Sequence, residues 1–248
     1  MPKFDGSEKK VIMHAASPES ASPFMNTKTV LFAAAYAAVV SPLCAQSFNI
    51  DFSTEYNSGH GSVSSTYGAA ANQAGVWNEI TSDGPTALVD LSGAASGASY
   101  QSGVGLSYNC TIAPGTSTDE ICLLGDGMMA MNGTWRFSIT GLSNADYTIY
   151  YYEPAHSSVS TGAFTVNGIA ATPLSSTSTT LTQNVNWASM QVTVTDGTLS
   201  FVGSSVQDTT FYGLAGLQIV GPVPEPSTYA FFGGAAALGL VLIRRRRK

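Results

Sequence analysis

Val192-Thr193-Val194-Thr195-Asp196-Gly197-Thr198-Leu199-Ser200-Phe201 decides the fold class of this chain. Apolar side chains take every second place, the period of a half-buried strand, and Asp-Gly interrupts them with a dipeptide that suits a tight turn. Read as a two-residue hairpin, the stretch pairs Val194 with Leu199 and Val192 with Phe201. Thr193, Thr195, Thr198 and Ser200 then share the opposite face. Asn167-Gly168 predicts a second hairpin, with Val166 opposite Ile169 and Phe164 opposite Ala171. Thr134-Trp135-Arg136-Phe137-Ser138-Ile139-Thr140 alternates in the same way, with Trp135, Phe137 and Ile139 inward and Arg136 outward. Further strands are expected at residues 48–52, 76–80, 87–91, 104–109, 147–152 and 211–220, separated by Gly, Ser, Thr and Asn. No helical period intervenes and no fixed repeat is present. The expected fold is all-β, an antiparallel β-sandwich of jelly-roll type over residues 46–221.

Charge is distributed very unevenly along the chain. Between residues 46 and 222 the one basic side chain is Arg136, set against twelve carboxylates, so the body carries a formal charge of −11 while the whole chain carries −6. Nucleic-acid binding rests on Lys and Arg neutralising phosphates, and this body excludes it.

The chemistry-bearing residues are sparse. Cys110 and Cys122 flank a Pro-Gly-Ser-Thr stretch and read as a disulfide in an oxidising compartment, with two buried thiols as the alternative. Asp119, Glu120 and Asp126 surround that loop. They offer oxygens for a structural Ca²⁺ but lack an EF-hand spacing, and solvated loop acids are the plainer reading. His60 and His156 lie in turn-like sequences. No nucleophile elbow, zinc helix or phosphate loop occurs, so no catalytic residue, metal or cofactor is assigned. Alternation separates the tryptophans. Trp135 belongs with the core, whereas Trp187 shares parity with Ser189 and Gln191, and Trp77 with Glu79. Trp77 and Trp187 are therefore the candidates for stacking on a sugar. Tyr147, Ile149 and Tyr151 form one face of their strand, Tyr150 and Tyr152 the other.

Both ends of the chain carry addresses. Lys28, an apolar stretch from Val30 to Val40, and Leu43-Cys44-Ala45 before Gln46 read as a secretory signal peptide over residues 25–45, exported through the Sec machinery. Residues 1–24 are either a disordered extension or a start-site artefact with Met25 as the initiator. At the other end, Val223-Pro224-Glu225-Pro226 precedes an uncharged run from Ser227 to Ile243, and Arg244, Arg245, Arg246, Arg247 and Lys248 follow. The run reaches roughly 25 Å as a helix, near the hydrocarbon thickness, and the cations stop transfer. This order over residues 222–248 resembles the PEP-CTERM sorting signal of Gram-negative bacteria. The resemblance implies cleavage by an exosortase near Pro224-Glu225-Pro226 after transient anchoring in the inner membrane.

A second resemblance lies in the body. Ile139-Thr140-Gly141-Leu142, Tyr147-Thr148-Ile149-Tyr150, Gly162-Ala163-Phe164-Thr165-Val166-Asn167-Gly168 and Gly213-Leu214-Ala215-Gly216-Leu217-Gln218-Ile219 are similar to the jelly-roll bodies of secreted PEP-CTERM proteins. More remotely, they resemble galactose-binding-like carbohydrate modules. The expectation is an exported, non-catalytic structural or adhesive protein of the cell surface or extracellular matrix that binds polysaccharide. A secreted glycosidase or lyase and a permanently anchored surface receptor are the alternatives.

Overall fold

The structure, a computed structural model, describes residues 46–53, 61–104, 107–110, 118–130, 134–156, 159–204 and 211–222. Two sheets face each other. One has five strands in the order β12 (Trp187–Val194), β8 (Ala145–Tyr152), β15 (Gly216–Val220), β1 (Phe48–Asp51) and β2 (Trp77–Glu79). The other has six, in the order β11 (Ile169–Ala170), β10 (Ala163–Val166), β13 (Thr198–Ser204), β7 (Thr134–Thr140), β4 (Ala95–Val104) and β3 (Thr86–Val89). A smaller sheet joins β5 (Ser107–Cys110), β6 (Asp126–Ala130), β14 (Phe211–Leu214) and β9 (Val159–Ser160). Pairing is antiparallel except for β1 with β2 and β14 with β9. The all-β sandwich holds.

The core lies between the two large sheets and follows the alternation. Trp135, Phe137, Ile139, Val192, Val194, Leu199 and Phe201 are all buried. Phe137 and Phe201 pair across β7 and β13 and stack with ring centroids 4.3 Å apart. Such contacts add to the hydrophobic gain of burial, which for a full side chain is about 1.5–3 kcal/mol.

One predicted hairpin forms and the other does not. At Asn167-Gly168 both residues take positive φ, 49° and 80°, and Val166 pairs with Ile169. At Asp196-Gly197 only Gly197 has positive φ, 76°, and the Asp196 carboxylate accepts the Thr198 N–H at 3.0 Å. The expected pairing of β12 with β13 is corrected: β12 pairs with β8 and β13 with β7, so the turn is an arch from one sheet to the other. A second arch, residues 141–144, carries β7 into β8 beside it. Leu142 N–H donates to the Gly197 carbonyl at 3.0 Å, and Gly197 N–H donates to Asn144 Oδ1 at 2.9 Å. Alternation places the four apolar residues inward in either arrangement. It fixes the face and leaves the partner open.

Two strand boundaries also move. Val104 ends β4 and Ser107 begins β5, in different sheets, and the run 211–220 breaks at Ala215 between β14 and β15. An unexpected helix, α1 (Asp119–Leu124), starts at Thr118, whose hydroxyl accepts the Ile121 N–H at 3.4 Å. Asp119 and Glu120 lie in its first turn, where carboxylates complement the helix dipole.

The body's two ends meet in the five-stranded sheet. Phe48 on β1 pairs with Ile219 on the central strand β15, and Gly221 N–H donates to Ser47 Oγ at 3.1 Å.

Candidate functional site

The register of the five-stranded sheet places both candidate tryptophans on its outer face, in neighbouring rows. One row runs Trp77, Asn49, Gln218, Tyr150, Ser189; the next runs Glu79, Asp51, Gly216, Tyr152, Trp187. Trp77 and Trp187 sit on the two edge strands, four strand spacings or roughly 19 Å apart. The residues between them are covered.

The cover is built from the loop over residues 63–75 and from α1. Asn49, Gln73 and Gln218 tie the loop down. Gln218 Nε2 donates to Asn49 Oδ1 at 2.9 Å and to the Gly68 carbonyl at 3.0 Å, and its Oε1 accepts the Ala71 N–H at 3.0 Å. Tyr152 donates its hydroxyl to Gln218 Oε1 and accepts the Ala70 N–H at 3.0 Å. Burial drives the Tyr152 phenol above its ordinary pKa. Asp119 clips the start of the loop, its Oδ1 accepting the Ser64 N–H at 2.7 Å. Val63 of the loop and Cys122, Leu123 and Leu124 of α1 join Trp77, Tyr152 and Ala215 in a second apolar cluster, against which Tyr150 and Trp187 also pack. Leu123 packs over Gly216, where an added Cβ would come within 2.7 Å of its Cδ1.

The reading of Trp77 as a ligand contact is corrected by this cover. It is 7 % exposed and donates Nε1–H to the Tyr67 carbonyl at 3.3 Å. Its parity is outward as expected, but the 63–75 loop closes over it. Trp187 is different. It is half-buried on the edge strand, where its carbonyl accepts the Asn184 N–H at 2.7 Å; its ring lies 5.9 Å from Tyr150 at 34°, and Ser189 and Gln191 beside it are exposed. The Trp187–Tyr150 corner is the half-exposed aromatic surface at this edge.

The same face holds a buried acid. Asp51 is 1 % exposed, and neither carboxylate oxygen has a hydrogen-bond partner among the described residues. Burial first, then the nearby Asp126 and Glu79, push its pKa well above the usual carboxylate value. Glu153, just beyond β8, is fully buried and raised to about 8 by burial. Among the described residues no three acids, histidines or cysteines converge to hold a metal ion. Asp119, offered in the sequence as a Ca²⁺ ligand with Glu120 and Asp126, instead holds the loop. His156 is half-buried, while His60 lies outside the described residues.

Other expectations also fall outside. Cys122 is buried in α1, and the side chain of Cys110 is not among those described, so the disulfide is not placed. The signal peptide, Val223 to Pro226, the apolar run and the basic tail lie beyond the described residues as well. Among the described residues no helix is long and apolar enough to cross a membrane.

Comparison with known proteins settles the tail. The PEP-CTERM protein-sorting motif matches residues 222–247. This chain carries a PEP-CTERM sorting signal. That signal implies processing by an exosortase and export to the cell envelope or surface. No curated protein matches the chain. Among solved structures, the body is similar to protein YXIM from Bacillus subtilis at 15 % identity and a TM-score of 0.38, covering 73 % of this chain and 41 % of that one. It is similar to the plant receptor-like kinase FER at 10 % identity and a TM-score of 0.41, covering 72 % and 43 %. It is also similar to CBM35 from Paenibacillus barcinonensis at 12 % identity and a TM-score of 0.29, covering 49 % and 97 %. The chain thus spans less than half the length of the first two.

Two features of the site were not read from the sequence. The loop clamp made by Asn49, Gln73 and Gln218 joins three amides far apart in the chain, with no shared motif. The pairing of Tyr150 with Trp187 needs the β8–β12 register, which the hairpin reading had assigned elsewhere.

Proposed function

We propose that this PEP-CTERM protein serves at the cell surface or in the extracellular matrix as a non-catalytic structural or adhesive component, and that it holds polysaccharide at the Trp187–Tyr150 corner. The supporting observation is the pair of tilted rings 5.9 Å apart, left half-open at a sheet edge with exposed Ser189 and Gln191 alongside. Aromatic rings offer a sugar's C–H face an apolar platform, and the flanking polar groups supply hydrogen bonds. A non-catalytic role accords with the position of Glu153, whose raised pKa would suit an acid catalyst but whose carboxyl is shut away from solvent.

A glycan array on the wild type, Trp187→Ala and Tyr150→Ala tests the reading. Retention of at least one neutral glycan by the wild type, weakened about tenfold or more in both variants, is the expected result. Uniform silence of the wild type removes the sugar site. Mass determination of the mature protein reads the fate of the tail, with loss of the residues after Pro224-Glu225-Pro226 expected.

A further inference from the structure

The outer face of the six-stranded sheet is the reverse of the rest of the body. No described carboxylate lies on it. Asp51, Glu79 and Asp146 belong to strands of the five-stranded sheet. Asp83, Asp90 and Asp196 are in end turns, Asp119, Glu120 and Asp126 are on α1 and β6, and Glu153 follows β8. What the face does carry is Arg136, the body's one basic side chain. It is exposed, and among the described residues no carboxylate pairs with it.

The arginine is placed rather than loose. Its stem lies over Gly103, where an added Cβ would come within 2.9 Å of Arg136 Cδ. The register sets Arg136, Val202, Thr165 and Ala170 in one row across β7, β13, β10 and β11, about 14 Å long. A shallow depression of about 380 Å³ takes in the Val202, Thr165 and Ala170 part of that row together with Thr134, Ala163, Phe164, Ala171 and Gly203; Arg136 stands outside its lining. Val202 is 39 % exposed at its centre. Next to the row stand exposed Ser200 and half-buried Ser138 and Thr140.

We propose that this face docks a carboxylate-bearing polysaccharide along the row, with a sugar carboxylate on the Arg136 guanidinium, sugar C–H faces on Val202 and Ala170, and hydroxyls on the Ser and Thr side chains. The guanidinium fork matches a carboxylate in two parallel hydrogen bonds. The described carboxylates lie on the other face, on α1 and β6 and in the end turns, and at physiological salt a charge's field fades over about 8 Å. A symmetric pairing of two copies through this face is disfavoured, since it would set two arginines against a surface with no carboxylate among the described residues. The proposal concerns a different face from the Trp187 corner and stands independently of it.

The test uses the purified full chain in detergent, with affinity electrophoresis in polygalacturonate and in neutral dextran. The expected result is retardation by polygalacturonate that weakens with added salt, falls about tenfold or more in Arg136→Gln, and persists in Trp187→Ala. Val202→Glu, which places a like charge in the row, is expected to lose as much. Absence of retardation by polygalacturonate, or equal retardation of wild type and Arg136→Gln, overturns the proposal. So does retardation by dextran that matches polygalacturonate. Sedimentation of the same samples gives the last arm: self-association that Arg136→Gln abolishes, without any glycan, assigns the arginine to a neighbouring copy's acidic face and overturns the proposal too.

Discussion

The two outer faces of the sandwich have opposite fates. On the five-stranded sheet, Asn49, Gln218 and Tyr152 are buried and spend their hydrogen bonds on a loop that roofs the face. On the six-stranded sheet, Gln101 and Ser200 are exposed and Ser138 is half-buried. Polar side chains of one chemical kind thus clamp a lid in one place and line a more exposed surface in the other. What distinguishes them is whether neighbouring apolar residues demand cover. Trp77 does so on the first face, whereas on the second Arg136, Thr165 and Ala170 do not and Val202 stays 39 % exposed.

The contrast can be broken most severely at its roofed side. Trp77→Ala removes a buried ring and its contacts with the loop, and is expected to cost about 3–5 kcal/mol in denaturant unfolding. A loss below about 1 kcal/mol would mean that the roof is not packed. Gln218→Ala takes away the partner of the Ala71 N–H, a donor to the Gly68 carbonyl and the acceptor of the Tyr152 hydroxyl, while Asn49 stays bonded to Gln73. About 2–3 kcal/mol is expected, with faster hydrogen exchange in residues 68–73.

Acidity sharpens the comparison through pH. The folded pKa of Glu153, about 8, lies above its ordinary value of 4.5. Between those values the unfolded chain has released a proton that the folded chain keeps, so the group's contribution is complete below pH 4.5 and is lost as pH rises toward 8. Asp51, shifted in the same direction, adds to the fall. Glu153→Gln is expected to flatten the decline in melting temperature, and a slope equal to wild type would place Glu153 in water. Smaller again is Trp187→Ala, where partial exposure limits the loss to about 1 kcal/mol while glycan retention drops. On the six-stranded sheet Arg136→Gln is expected to leave unfolding within about 0.5 kcal/mol of wild type.

Much of the architecture was legible, because period-two alternation is a direct consequence of strand geometry. Trp135, Phe137 and Ile139 face inward as their spacing requires, and Asn167-Gly168 closes a hairpin because both residues accept positive φ. Asp196-Gly197 carries the same signal and does something else. Its neighbours satisfy their apolar faces across the core instead of side by side, a difference that no local pattern encodes. Trp77 shows the limit for sites. Its outward parity was correct, yet the cover comes from residues 63–75, held by amides on two distant strands. Helix α1 is a single capped turn and a half, too short to print a period. The sorting signal needed no fold at all, since its meaning lies in the order of proline, apolar run and cations.

One feature of the five-stranded sheet has a mechanical consequence. The chain leaves the body from β15, its central strand, hydrogen-bonded to β8 on one side and β1 on the other. A pull applied at the C-terminal end of β15 is directed along two ladders at once, so they must slide together rather than unzip one bond at a time. A domain pulled by its middle strand resists being drawn apart from that end.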